Sequence, residues 1–306
     1  MLAGLFFRML LEFNMRTVLL TLLMIGFAPF AWALSPYFQG DKVQAGEVQA
    51  VISQVEAKLT KGGFTVVGKY APPGLSGSGV IVVTESGLLN VIRSLGGAAI
   101  VGTPIRIGVK ADGSVSYENL EYWLRAYLRK QYPLAEKSIK TAQAKLGKAL
   151  GAGKPFGGEV DRKDLGDYQY MFGMEGFESD KNLLMEHLAF EDAVKAIQDN
   201  LARGLGKTTK VYEIIQPDKK VAVFGVALND PKEGEGWWVK TIGADNIAAL
   251  PYEIYVVNNK ANHLFARFRI ALGWPNVGMG SFMRIVEAPG IIRDTLMAVA
   301  GGTPDK

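Results

Sequence analysis

Residues 103–109, Thr-Pro-Ile-Arg-Ile-Gly-Val, and residues 250–256, Leu-Pro-Tyr-Glu-Ile-Tyr-Val, decide the fold. In each stretch a proline is followed by apolar residues at alternate positions, the period of a half-buried strand that tolerates proline at its first residue. Each stretch runs into a predicted hairpin turn, Ala111-Asp112-Gly113 in the first and Asn258-Asn259-Lys260 in the second. The recurrence predicts two copies of one structural plan.

The residues upstream of each proline strand repeat a common order of elements. Apolar residues at helical spacing cover 48–59 and 190–201, and glycines follow both segments as expected helix ends. Two predicted strands and a second helix then precede each proline strand. These segments are 64–70, 80–84 and 87–95 in the first copy, and 210–215, 221–228 and 237–242 in the second. The sequence therefore predicts helix, two strands, helix and two strands, twice over.

Downstream of the hairpins the two copies differ. Segments 116–132 and 133–150 are predicted as two helices of the first copy. In the second copy the alternation over 263–272 predicts a further strand, and helices are expected over 281–300. The segment 151–188 is rich in glycine and charge, as in a linker or an excursion across one domain, but its aromatic residues indicate that part of it packs.

These patterns predict an α+β fold of two related domains, each an antiparallel sheet with helices packed on one face. The expected boundaries are 34–150 for the first domain, 151–188 for the linker or excursion, and 189–306 for the second, diverged domain. Each domain is of ordinary size and long enough to bury its own core.

The first 33 residues carry a signal for export. Met15-Arg16-Thr17 gives a basic start, residues 18–30 form an apolar run, and Ala31-Trp32-Ala33 is a small-residue cleavage site. The run is shorter than the roughly 20 residues that a membrane-spanning helix needs. The sequence therefore predicts a cleavable signal peptide over 1–33, a periplasmic location and no stable membrane span after cleavage. The start codon, at Met1 or Met15, stays open.

The composition of the 306 residues excludes several kinds of chemistry. The chain has no cysteine and two histidines, which excludes disulfide frameworks, thiolate nucleophiles, zinc ribbons and iron–sulfur clusters. An exported chain without cysteine fits a periplasm. The net charge of +4 includes no long basic run, so we expect no nucleic-acid partner. No phosphate loop, nucleophile motif or carboxylate pair with the required spacing is present, and no catalytic residue is assigned.

The repeated pattern resembles the DUF302 family of small α+β domains. The residues that carry the resemblance are the opening helix, Gly63-Phe64 before a strand, and the proline strand with its glycine-turn hairpin over 104–115. It covers about residues 47–130 and, with Lys207-Thr208-Thr209 in place of Gly-Phe, about 189–272. The resemblance implies a tandem pair of such domains in an exported protein. The family is one of unknown function, so no catalytic residue is carried over.

Methionine and histidine residues form one candidate metal site. Met171 and Met174 are followed by Met185 and His187. Thioether and imidazole groups suit Cu(I) in an oxidising compartment, and His187 with two of these methionines would complete a trigonal site. The alternative is that the methionines fill irregular gaps in the core.

A second candidate site depends on the predicted strand over 263–272. On a strand His263, Phe265, Arg267 and Arg269 share one face. Such a face would bind a carboxylate, a phosphate or the propionates of haem, with His263 or His187 as an axial ligand. The alternative is a solvated sheet face whose arginines are covered by neighbouring acidic residues.

Two adjacent tryptophans, Trp237 and Trp238, complete the candidate ligand-binding residues. Neighbouring residues of a helix or strand do not both face the core, so one of the two is expected to be exposed and available for contact.

The leading hypothesis is a periplasmic, non-catalytic binding or accessory protein of two repeated α+β domains. Its partner would be an envelope protein or a small-molecule ligand, bound where pockets are favoured, between the domains. The alternative is a copper- or haem-handling protein that uses His187 with the methionines, or His263. An enzyme acting on an envelope substrate is a third class. Pairing of exposed sheet edges would make the protein a homodimer.

Overall fold

Two antiparallel sheets form the framework of the protein in a computed structural model, which describes residues 33–304. In chain order the strands are β1 (Ala33–Leu34), β2 (Tyr37–Gln39), β3 (Thr65–Tyr70), β4 (Ser78–Thr84), β5 (Ile105–Lys110), β6 (Val115–Glu118), β7 (Pro155–Phe156), β8 (Val160–Asp161), β9 (Leu183–Glu186), β10 (Thr208–Gln216), β11 (Val221–Leu228), β12 (Tyr252–Val257) and β13 (Lys260–Asn262). The predicted signal peptide lies, except for Ala33, outside the described residues.

The two sheets have the same order over five strands, and the first sheet has a sixth, β7, at its edge. The first is β3-β4-β5-β6-β2-β7 and the second is β10-β11-β12-β13-β9, while β1 pairs with β8 in a separate two-stranded sheet. Both proline strands, β5 and β12, lie at the third position of their sheets. Strands β4 and β11 are buried along their whole length, which explains their unbroken runs of apolar residues.

The helices cover both sheets. They are α1 (Val48–Lys61), α2 (Ser86–Leu95), α3 (Leu120–Leu128), α4 (Tyr132–Leu150), α5 (Phe190–Ala202), α6 (Glu235–Ile242), α7 (Ala266–Gly273), α8 (Met279–Met283) and α9 (Ala288–Val299). Helix α1 buries Val51, Val55 and Leu59 at a spacing of four residues and packs on β3, β4 and β5. Helix α5 packs in the same way on β10 to β13. The predicted class, α+β with antiparallel sheets and packed helices, is confirmed, and so is the repeated order of helix, two strands, helix, two strands.

Two sequence-based predictions of local structure are wrong. No strand forms over 263–272. Strand β13 ends at Asn262, and most of the segment belongs to helix α7. Helix α7 is buried on nearly all sides, so its apolar residues are not confined to one face. In such a short buried segment the spacing of apolar residues does not distinguish a helix from a strand. The helix expected from Ser116 begins at Leu120, because Val115 and Tyr117 point into the core from strand β6.

The segment 151–188 contributes to both sheets. Strand β7 pairs with β2 at the edge of the first sheet, and β9 pairs with β13 at the edge of the second. The segment therefore packs, as its aromatic residues predict. The division into domains at 150 and 189 stays a prediction, and residues from Ala33 onward form one compact unit.

The two halves, each a sheet with its helices, exchange contacts. A 3-10 helix over Ala244–Ala249 of the second half lies on β4, β5 and β6, and a 3-10 helix over Gly97–Gly102 of the first half lies on β11 and β12. Strands β3 and β10 also contact each other. We call this contact surface between the halves the seam. No helix within residues 33–304 is long and apolar enough to cross a membrane.

Candidate functional site

Four charged side chains meet in the interior of the seam. Arg106 of β5 lies 3.2 Å from the Glu118 carboxylate, between Nη1 and Oε1, and 2.9 Å from the Glu253 carboxylate of β12, between Nη2 and Oε2. Arg269 of α7 completes the group, with its Nε 2.9 Å from Oε1 of Glu253. Each of the four side chains is at most 2% exposed. Two positive and two negative charges therefore neutralise one another inside the protein.

Backbone groups and the hydroxyl of Tyr212, which accepts from Nη2 of Arg106 over 3.3 Å, make further hydrogen bonds with this cluster. The backbone N–H of Arg106 donates to Glu118 Oε2 over 2.9 Å, and Nη2 of Arg269 donates to the carbonyl of Ala249 over 2.7 Å. Burial by itself lowers the pKa of Arg106, but the carboxylate of Glu253 raises it well above its usual value. Both arginines therefore stay charged and occupied, and the cluster offers no reactive group to a substrate.

A third buried carboxyl group, that of Glu235, links the halves at another point of the seam. The hydroxyl of Tyr70 on β3 donates to its Oε2 over 3.0 Å, and the backbone N–H of Tyr252 donates to its Oε1 over 3.3 Å. Burial raises the pKa of Glu235 to about 8. The group is therefore protonated at pH 7 and spares the interior an unpaired charge.

A cleft opens to solvent where the 3-10 helix of the second half meets strand β5. Its volume is about 360 Å³, and its lining includes Lys42, Lys110, Ser114, Ser116 and Asp245. Lys110 of β5 forms an ion pair with Asp245, which belongs to the 3-10 helix of the second half. The cleft therefore has ammonium, hydroxyl and carboxylate groups, and its lining comes from both halves.

The absence of a side chain at Gly108 allows the 3-10 helix to lie close to the floor of the cleft. A β-carbon at this position would lie 2.2 Å from Cγ2 of Ile247 and 2.8 Å from Oγ of Ser116. Both distances are far below van der Waals contact, so a side chain at this position would force its neighbours to shift.

The predicted face of His263, Phe265, Arg267 and Arg269 is not formed, because residues 266–273 are helical. Residues two apart on a helix point in different directions. Arg269 turns into the seam, while Arg267 donates from Nε and Nη2 to Glu175 over 2.8 and 2.6 Å and lowers the pKa of that carboxyl to about 2. Ligand binding by these residues stays a prediction.

His263 is fully buried and lies between aromatic rings. Its ring centroid is 5.9 Å from that of Phe265 and 6.3 Å from that of Tyr252. Burial lowers the pKa of the imidazole to about 3, so the ring is neutral at pH 7. The backbone of Lys181 lies close to the ring, but neither ring nitrogen is aligned for a hydrogen bond with a described residue.

The adjacent tryptophans have different surroundings. Trp238 is 1% exposed and packs edge-on against Trp274 with ring centroids 5.4 Å apart. Trp237 is only half-buried. The expected difference between the two is therefore present, and Trp237 is the one that solvent reaches.

The candidate copper ligands lie in two parts of the chain. Met185 and His187 lie two residues apart at strand β9, and Nε2 of His187 is 2.9 Å from the carbonyl oxygen of Ala300. Met171 and Met174 lie in the preceding segment, where the backbone N–H of Met174 donates to the carbonyl of Met171. Within residues 33–304 no three histidine or carboxylate side chains are placed to hold a metal ion. Methionine is not among those residue types, so the copper alternative stays a prediction.

Of the four charged residues in the seam, sequence reasoning selected only Arg269, and it selected none of the residues that line the cleft. Arg106 and Glu253 each stand two residues after the proline of their strands. A charged residue at the same position of two apolar strands is the sequence feature that would have indicated a buried ion pair. Lys110 and Asp245 are 135 residues apart, and nothing local in the sequence links them. Comparison of the chain with family models, curated proteins and solved structures finds no match.

Proposed function

We propose that the protein is a periplasmic, non-catalytic binding or accessory protein built from two DUF302-like halves, and that the cleft at the seam is its ligand site. The observation that carries this proposal is the shared lining of the cleft, with Lys110 and Ser116 from one half and Asp245 from the other. Ligand sites occur preferentially where two such units meet, and a volume of about 360 Å³ suits a small molecule.

The chemistry of the lining indicates a small, polar ligand. The ion pairs of Lys42 with Asp112 and of Lys110 with Asp245 are open to solvent and can exchange. The two lysines would then pair with an anionic group of the ligand, Asp245 with a cationic or donating group, and the serine hydroxyls with either. A zwitterion such as an amino acid or a short peptide has both kinds of group. The buried arginines do not take part, because Glu118 and Glu253 already occupy them.

A thermal-shift series on the full chain tests the proposal. The probes are free amino acids, dipeptides and small dicarboxylates, each at millimolar concentration. A bound ligand raises the unfolding temperature, since at 100 times its Kd it stabilises the folded state by about 2.7 kcal/mol. We expect at least one probe to stabilise the wild-type protein and the control Lys61→Ala, but not Lys110→Ala or Asp245→Ala.

Equal shifts in all variants would place the ligand elsewhere, and the absence of any shift across the series would contradict the assigned ligand class. Metal analysis and an absorption spectrum of the same preparation test the alternative. Stoichiometric copper or a haem Soret band would favour the cofactor-handling function over the one proposed.

A further inference from the structure

A second, larger cavity lies along helix α4 and shares no residue with the cleft. Its volume is about 660 Å³. We call it the α4 groove. Its apolar lining comes from four elements that meet beside the helix, β1, β2, β6 and α4 itself, through Leu34, Phe38, Tyr117, Ile139 and Ala144. Leu34 and Phe38 are only partly buried, so their apolar surface is open to an occupant.

The polar groups inside the α4 groove already have partners in the protein. The Gln143 side chain accepts from the backbone N–H of Leu120, and the Asn119 side chain donates to the carbonyl of Ser35. Arg125 and Arg162 both contact the carboxylate of Glu121. The interior of the groove therefore offers an occupant mainly apolar contact.

The rim of the α4 groove is basic. Lys140 and Lys148 line it from the exposed side of the helix, and Lys140 has a solvent-exposed pairing with Glu136 over 2.8 Å. Within residues 33–304 no ion-pair partner of Lys148 is seen. Lys137 and Lys145 extend the row along an adjoining cavity, where Glu85 pairs with Lys145. Four lysines and one glutamate on α4 give this side of the helix a charge of +3.

We propose that the α4 groove binds a free fatty acid, with the acyl chain on Leu34, Phe38 and Ala144 and the carboxylate held by Lys140 and Lys148. An apolar interior whose polar groups are satisfied takes a hydrocarbon chain, and a lysine rim takes an anionic head. The lysine stems add apolar surface at the mouth of the groove. This inference does not depend on the ligand proposed for the cleft, because the two sites use different residues.

Displacement of a fluorescent polyene fatty acid from the full chain measures this binding. We expect the probe to bind the wild-type protein, palmitate to displace it, and hexadecanol to displace it at least tenfold less well because it lacks the charge. Lys140→Ala/Lys148→Ala is expected to weaken probe binding at least tenfold, and Ala144→Trp to abolish it. The matched control Lys195→Ala/Lys240→Ala changes two exposed lysines on other helices and is expected to bind like the wild type.

A chain without cysteine allows the occupant to be identified directly. In Ala144→Cys, palmitate is expected to slow modification of the new thiol by a maleimide, while Thr60→Cys on α1 is unaffected. Circular dichroism and thermal unfolding confirm that each variant is folded.

Three outcomes would overturn the proposal. The first is no probe binding by wild type, or equal binding by all variants. The second is a thiol at 144 that is protected without palmitate, since residues 1–32 of the chain would then be the occupant of the groove. The third is protection by anionic vesicles but not by palmitate, which would make this side of α4 a membrane-docking surface.

Discussion

The two halves of the protein place opposite charges at the same point of the same strand. Arg106 stands two residues after the proline of the first half, and Glu253 stands two residues after that of the second. Strands β5 and β12 hold equivalent positions in their sheets, and both side chains are fully buried. The difference between the halves is therefore what allows the two side chains to form an ion pair across the seam.

Opposite charges at equivalent positions also select which halves associate. Association of two first halves would bring one Arg106 against another, and two second halves would bring together two Glu253 carboxylates. Each group would keep the partner in its own half, Glu118 for Arg106 and Arg269 for Glu253, but would lose the pair across the seam and face a like charge instead. We infer that the charge difference favours the pairing of unlike halves, whether within one chain or between two chains of a homodimer.

Removal of the central carboxylate is the strongest test of this comparison. Glu253→Gln leaves two buried arginines with one carboxylate between them, and loss of one partner of a buried pair costs about 3–5 kcal/mol. Urea unfolding followed by circular dichroism measures the loss. The control Glu186→Gln changes an exposed carboxylate of the second half and is expected to cost less than about 1 kcal/mol. A variant at 253 as stable as the control would mean that the cluster does not hold the seam.

An exchange of the two charges sharpens the same test. In Arg106→Glu/Glu253→Arg the central pair is restored, but the new glutamate faces Glu118 and the new arginine faces Arg269. We therefore expect the double variant to remain less stable than the wild type. Full recovery in urea unfolding would show that the pair acts alone and that its neighbours contribute nothing.

The protonation of Glu235 gives the next largest effect. Its pKa is raised from an ordinary 4.5 to about 8 in the folded protein. The folded state therefore holds a proton that the unfolded chain releases, so stability is fully present below about pH 4.5 and falls as the pH rises to about 8. Between about pH 5 and pH 8 the wild type is expected to lose roughly 3 kcal/mol more than Glu235→Gln, which stays neutral.

Urea unfolding at several pH values measures this difference. Glu233→Gln is a matched control, because Glu233 is an exposed carboxylate two residues earlier. It is expected to follow the wild-type dependence on pH. Parallel profiles for the wild type and Glu235→Gln would mean that Glu235 is ionised in the folded protein.

The same strands explain what the sequence predicts and what it does not. The alternation over 103–109 and 250–256 is local, and it places β5 and β12 within a residue or two. The sequence does not predict helix α7. Its alternating pattern places Arg269 on the solvent-facing side of a strand, whereas Arg269 is buried against Glu253, which lies 16 residues away on β12. The cleft is not predicted either, because it also depends on a contact between residues that are distant in the sequence. Its ion pair joins Lys110 to Asp245, and only packing of the two halves brings them together.

A smaller effect is expected where the two halves differ in side-chain size. Gly108 stands four residues after Pro104, and Tyr255 stands four residues after Pro251. The 3-10 helix over Ala244–Ala249 packs on the glycine, so Gly108→Ala should force Ile247 aside at a cost of about 1–3 kcal/mol in urea unfolding.

Ile247→Ala removes the methyl group that the new β-carbon would meet, although it also leaves a cavity of its own. If the clash is steric, the two substitutions together should cost less than the sum of their separate costs, by about 0.5 kcal/mol or more. Strictly additive losses of unfolding free energy would mean that the second half has moved away from β5. The two halves would then not be closely packed at this point of the seam.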